Sequence, residues 1–231
     1  MSRLTESEIH GLFEFTLKKY VRYKDVQVEL VDHLASAIEE LREKNPDIGF
    51  TKALYQVYEG FGIFGFAKII EAKEKALVKY WLRKVFKMVL GYFKPPLVFG
   101  TVGCMILLFQ LLHSGILPLK YLFFIATAAF IVSAILTISH QYIREEAMNE
   151  YLYMKAFYSV SYSMLAFAFY SSYFMDDLFF WMTAWHPNLQ IVLASFITPL
   201  ACILIYLVTF KIPGMLKREF NEKYKHILTV S

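Results

Sequence analysis

Four stretches of the sequence, residues 95–112, 121–143, 156–175 and 189–210, contain no Asp, Glu, Lys or Arg. A hydrocarbon core about 30 Å thick is crossed by roughly 20 helical residues, within a range of about 17–25. An ionised side chain at the bilayer centre costs about 2.5–3.5 kcal/mol on the insertion scale. Charge-free runs of this length therefore predict four membrane-spanning helices. The first run is the shortest, and residues 88–93 can extend it. The 231 residues are 57% apolar and 19% charged, with a mean hydropathy of +0.43. Soluble domains are nearer 45–50% apolar and about 25% charged. The charges that remain crowd into the first ninety residues, one central loop and the C-terminal tail.

Within the runs, Phe123, Phe124, Phe130, Phe167, Phe169, Tyr170 and Phe196 make an aromatic-rich bundle. Small residues on the second span (Ala126, Ala128, Ala129, Ser133 and Ala134) suit close helix packing. Cys104 and Cys202 both fall inside apolar runs, so no disulfide framework can be read and both are expected to pack as small hydrophobes. Residues 1–45 lack a basic-then-apolar opening, so the first span is expected to act as its own insertion signal.

Basic residues set the orientation. Lys79, Arg83, Lys84, Lys87 and Lys94 precede the first span, Arg144 and Lys155 lie between the second and third, and Lys211, Lys217, Arg218, Lys223 and Lys225 follow the fourth. The opposite loops offer only Lys120, with Asp176 and Asp177 near the third-to-fourth connection. Both termini are expected to be cytoplasmic. The net charge of +4 gives no reason to expect direct nucleic-acid binding.

Residues 1–79 read as a small helical domain of three to four helices. Thr5 followed by Glu8 is a capping box, and Ile9, Leu12, Phe13, Thr16, Leu17 and Tyr20 form an apolar stripe at helical spacing. Asp25 can cap a second helix with Val26, Leu30, Leu34, Ala37, Ile38 and Leu41 on its buried face, stopped by Asn45-Pro46-Asp47. A third helix begins at Thr51 and carries Leu54, Val57, Tyr58 and Phe61; Gly60-Phe61-Gly62-Ile63-Phe64-Gly65-Phe66 closes it in a turn. A fourth starts near Phe66, with Glu71 and Lys75 as an i,i+4 pair. A core from so few short helices is marginal alone, and docking onto the membrane part or a partner would support it.

Residues 80–94 change character. Arg83, Lys84, Lys87 and Lys94 share one side; Trp81, Val85, Met88, Val89 and Tyr92 share the other. This pattern predicts an interfacial linker helix at the headgroup level, each cation attracting anionic lipid by about 1 kcal/mol. Trp81, Trp181 and Trp185 fall near span ends and are expected at the interface with lipid.

Glu29, Asp32 and His33 form the most suggestive polar cluster. Glu29 and His33 stand one turn apart and could share a metal ion or a proton, but no second His or Cys pair has ligand spacing. Orientation of an exposed histidine by a neighbouring carboxylate is the expectation. His140, with Gln141, Arg144, Glu145, Glu146 and Glu150, reads as a solvated hairpin, Asp176 and Asp177 as a charged loop end, His186-Pro187 as a turn, and Pro199 as a packing kink. No phosphate-binding loop, nucleophile elbow, zinc-protease or kinase signature occurs. No catalytic, cofactor or metal residue is therefore assigned, and no enzyme is expected.

The run Val28-Glu29-Leu30-Val31-Asp32-His33-Leu34, then Thr51-Lys52-Ala53-Leu54, then Gly60-Phe61-Gly62, resembles HAAS-type and permease-prefix helical domains of bacteria. The likeness covers roughly residues 10–76. Family members continue with an acidic residue and Pro, where this chain has Ile63-Phe64-Gly65, which implies a different turn. The resemblance implies a signalling domain at the cytoplasmic side of a multi-span inner-membrane protein, often found alongside PadR-like regulators. It also implies that Asp32, His33, Phe61 and Gly62 hold the helices together.

The expected architecture is all-α: a cytoplasmic helical domain over 1–79, a basic interfacial linker over 80–94, a four-span domain over 95–212 and a basic tail over 213–231. The expected function is regulatory or partner-binding, with membrane lipids and a cytoplasmic protein as partners. Glu29, Asp32, His33, Phe61 and Gly62 are the candidate contact or motif residues, and homo-oligomerisation is compatible with this pattern. The alternatives are a small transporter or channel subunit for a neutral or apolar solute, and a lipid-modifying enzyme using His33 or His140.

Overall fold

A computed structural model describes residues 3–142, 150–183 and 187–228, apart from the side chains of 123, 140–142, 168, 169, 171–183, 187 and 223–228. Every regular element among the described residues is helical. The chain divides into two compact units, Met1–Lys79 with Arg144–Phe157, and Tyr80–Ile143 with Tyr158–Ser231.

In the first unit, α1 (Glu6–Lys18) opens on the expected capping box. The Glu8 amide donates to the Thr5 hydroxyl at 3.3 Å, and the Thr5 amide to the Glu8 carboxylate at 2.8 Å. The buried stripe is rotated from its expected position: Leu12, Phe15 and Thr16 face the core, while Ile9, Leu17 and Tyr20 are exposed. Phe15 draws α1 round, because its ring meets Tyr55, Tyr58 and Phe66 edge-on at 5.8, 5.1 and 6.3 Å. Such pairs add about 0.5–1.5 kcal/mol beyond area burial.

Helix α2 (Lys24–Lys44) buries Val26, Leu30, Val31, Leu34 and Ile38, close to the expected face. Its N-cap is Tyr23, not Asp25. Asp25 lies inside the first turn and turns its carboxylate elsewhere. Helix α3 (Phe50–Glu59) starts one residue before Thr51, after Gly49. The turn that follows carries Gly62 at φ 73° and Gly65 at φ 49°. A β-carbon on Gly65 would also stand 2.5 Å from the Tyr58 hydroxyl, so this position requires glycine. Phe66 is buried after the turn, whereas Ile63 is 100% exposed.

Helix α4 (Ala67–Gly91) is continuous through residues 79 and 80. The expected fourth helix and interfacial linker are thus one element, because no Gly or Pro lies between Ala67 and Leu90 to stop it. The first unit's core gathers Leu12, Val26, Leu30, Leu34, Ile38 and Leu54. It also takes in Leu152, from the start of α7 (Leu152–Thr183).

The second unit contains α5 (Leu97–His113), α6 (Leu119–Tyr142), most of α7, α8 (Pro187–Tyr206), a π-helical turn (Leu207–Lys211) and α9 (Ile212–Leu228). Among the described residues, two helical runs are long and apolar enough to cross a membrane. They are Leu119–Ser139, with mean hydropathy 2.4 over its most apolar window, and Asn188–Glu222, with 2.6. Only 18% and 22% of those windows are buried, unlike the core helix of a soluble protein. Helix α5 is apolar but shorter, at 17 residues. The run at 156–175 falls within α7, where the side chains of 171–175 lie outside the described residues. Polar groups are turned inward in this unit: the Ser133 and Thr209 hydroxyls bond to each other from α6 and the π-helical turn, both buried.

Candidate functional site

Among the described residues two places gather polar or reactive groups, one in each unit. In the first unit the centre is Asp25, 4% exposed. Its carboxylate accepts from the backbone N–H of Leu152 at 2.9 Å and of Tyr153 at 3.1 Å. These are the first two amides of α7, which have no partner within their own helix. A carboxylate there satisfies both donors and complements the positive end of the helix dipole. The aspartate expected to cap its own helix therefore caps another, 127 residues along the chain.

Charge pairs surround this cap. Lys24 and Glu150 meet at 3.1 Å, as do Lys155 and Glu74, and the Lys155 ammonium lies 5.5 Å from the centre of the Tyr23 ring. The Tyr23 phenol first, and Glu74 after it, hold the Lys155 ammonium above the usual lysine range against its partial burial. Burial pushes the Tyr151 phenol up, with Lys24 opposing. Lys73 bridges the Asp25 carbonyl, at 3.1 Å, and the Glu29 carboxylate. Half-exposed pairs contribute little each, about 0–1 kcal/mol. The buried cap and Leu152 are what anchor α7 here.

Glu29 is thus engaged by Lys73. Asp32 and His33 are exposed, and among the described residues none bonds His33. Phe61 packs on Phe66 at 5.0 Å and Tyr58 at 6.3 Å, and Gly62 supplies the left-handed turn. Of the other described histidines, His10 faces Glu14 at 3.8 Å and His113 stacks on Phe109. No three His, Cys, Asp or Glu come together as metal ligands among the described residues.

The basic linker residues divide. Arg83, Lys87 and Lys94 are exposed. Lys84 instead forms an ion pair with Glu219 of α9 and lies 4.9 Å from the Trp81 ring centre. Trp81, expected at the lipid interface, is fully covered at 0% exposure beside buried Val85. Helix α9, missed as a packing element because its tail reads as merely basic, supplies Glu219 and buries Ile212, Leu216 and Phe220. Trp181, Trp185, His140, Gln141, Glu145, Glu146, Asp176, Asp177 and His186 have side chains outside the described set, as does Arg144.

The second place is a cavity of about 540 Å³ between α5 and α8. Its walls are mainly apolar, with Gly100 and Cys104 from α5 and Pro199 and Cys202 from α8. Both cysteines of the protein are free and line it. Tyr92 lines the cavity too, and the Lys211 ammonium lies 5.8 Å from its ring centre. The volume falls within the roughly 300–1,000 Å³ usual for small-molecule sites. No family model matches the chain, and neither does any curated protein or solved structure.

Chemically, the Asp25 junction can fix the start of α7 within the first unit. The cavity can accept an apolar molecule.

Proposed function

We propose that the chain is a non-enzymatic, multi-pass protein of the bacterial cytoplasmic membrane, whose first unit is a cytosolic regulatory module that binds a protein partner. On this reading four helices span the bilayer and both termini face the cytosol. The observation that carries it is the Asp25 cap on α7, with Leu152 in the same core. A helical domain that holds the first turn of a long apolar helix can pass a binding event to that helix. The exposed apolar tip at Ile63 and Phe64 supports an interaction role. So does the resemblance of residues 10–76 to HAAS-type domains.

The test is in-cell photocrosslinking of the full chain with a photoreactive residue at position 63 or 64. A saturable adduct to one protein, weakened by Asp25→Ala, is expected. Adducts to lipid alone, with the protein correctly in the membrane fraction, would overturn the partner-binding role.

The cavity between α5 and α8 favours a second reading, a small transporter or channel subunit for a neutral or apolar solute. Solute flux into proteoliposomes, lost when Gly100→Leu fills the cavity, would establish it.

A further inference from the structure

We infer that the cavity between α5 and α8 is a binding site for one anionic phospholipid, with an acyl chain between Gly100 and Cys202 and the phosphate at Lys211. The inference rests on the membrane-spanning part of the reading above and is independent of the regulatory part.

Three observations converge. The cavity is walled almost wholly by apolar side chains, and Gly100 leaves its α5 wall open: a β-carbon built there meets nothing within 4 Å. It lies between two apolar helices whose outward residues, such as Phe99 and Phe196, are themselves exposed. A chain from the surrounding lipid would find the same apolar environment inside as outside, so an acyl chain enters without desolvation penalty.

Charge selects the headgroup. Tyr92 brings a phenol to the lining, and Lys211 stands over its ring. Among the described residues no carboxylate pairs with Lys211, in contrast to Lys84, whose charge is answered by Glu219. An ammonium beside a phenol, at an apolar cavity, is complementary to a phosphodiester whose headgroup brings no cation of its own. A neutral solute would offer that cation no counter-charge. A phosphate would accept from both the ammonium and the phenol.

Cys104 and Cys202 make the site directly readable, because they are the protein's only two thiols and both line it. The full chain would be reconstituted in vesicles of phosphatidylcholine alone or with one-third phosphatidylglycerol, and alkylated with N-ethylmaleimide. An occupant shields both thiols, so labelling should be at least fivefold slower with phosphatidylglycerol. Lys211→Gln should erase that difference and Lys211→Arg should keep it. Gly100→Leu should slow labelling equally in both vesicles.

Equal labelling of the unaltered protein in the two vesicles would overturn the inference, as would a phosphatidylglycerol effect that survives Lys211→Gln. Equal shielding by both lipids means that headgroup charge does not select the occupant, which also overturns it. Release of the chain from membranes by alkaline carbonate would instead sink the membrane reading beneath it, before any thiol is labelled.

Discussion

The two units place their apolar residues in opposite ways. In the first, Leu12, Leu34 and Ile38 are turned inward and the surface carries paired charges such as Lys44 with Glu40 and Lys75 with Glu71. In the second, Ile125, Ile131, Val132, Ile135 and Ile138 of α6 are all at least half exposed, while Ser133, Thr137 and Thr209 are buried. Water rewards the first arrangement through the hydrophobic effect. It penalises the second, which suits a solvent of lipid tails, where apolar contact outside is free and hydroxyls gain by bonding inside. On the proposed membrane reading one chain is thus written for two solvents, and Leu152 packs in the core of the first unit although α7 continues beyond it.

The contrast can be broken most directly at Leu152. Leu152→Ala should lower the stability of the first unit by about 2–5 kcal/mol, since it empties a fully buried site. Limited proteolysis of the full-length protein would register this as faster cleavage within residues 3–79. Unchanged cleavage would mean that the helix start is merely adjacent to that core.

Ile131→Lys probes the other side of the comparison. On a water-facing helix this exchange at a 50%-exposed residue would be harmless. In lipid it should weaken insertion of Leu119–Ser139 by about 2.5–3.5 kcal/mol, read by glycosylation mapping of a reporter placed after the segment. Full insertion of the variant would dissolve the two-solvent distinction.

Asp25→Ala should cost about 1–2 kcal/mol and raise hydrogen exchange selectively at the Leu152 and Tyr153 amides, with Asp25→Asn less damaging. Protection unchanged at both amides would refute the cap.

The smallest effect is a pH dependence. A hydrogen bond from Arg42 foremost holds Glu8 below the ordinary glutamate value of 4.5. A folded pKa lower than the unfolded one adds stability that is fully present above the unfolded value and lost as pH falls through the folded one. Acidification below about pH 4.5 should therefore destabilise the native protein by about 1 kcal/mol or less more than Glu8→Gln, by thermal unfolding of the first unit.

What was legible in the sequence was local. The Thr5–Glu8 box depends on four consecutive residues, and the α2 face on one helical period, so both could be read directly. The phase of α1 could not, because Phe15 is buried by rings from α3 and the following turn. The boundary expected after residue 79 followed a change of composition, and the two compact units divide there, although the backbone hydrogen bonding of α4 runs on through it. Asp25 read as a cap for the nearest helix because sequence separation hides a partner 127 residues away. Trp81 read as interfacial from its position near a span, but packing covers it. The two cysteines were visible singly as apolar-run residues; that they share one cavity is a fact of tertiary structure.

The π-helical turn at Leu207–Lys211 has a consequence for everything after it. Wider hydrogen-bonded loops accommodate an extra residue, and each α-helical residue advances the winding by about 100°. Regular α-helical winding through the same residues would turn Ile212, Leu216, Glu219 and Phe220 about a quarter-revolution away from their present bearing, whereas deleting Val208 along with that reversion would preserve it. The irregularity acts as a phase shifter, matching the azimuth of a greasy segment to that of the amphipathic one it leads into.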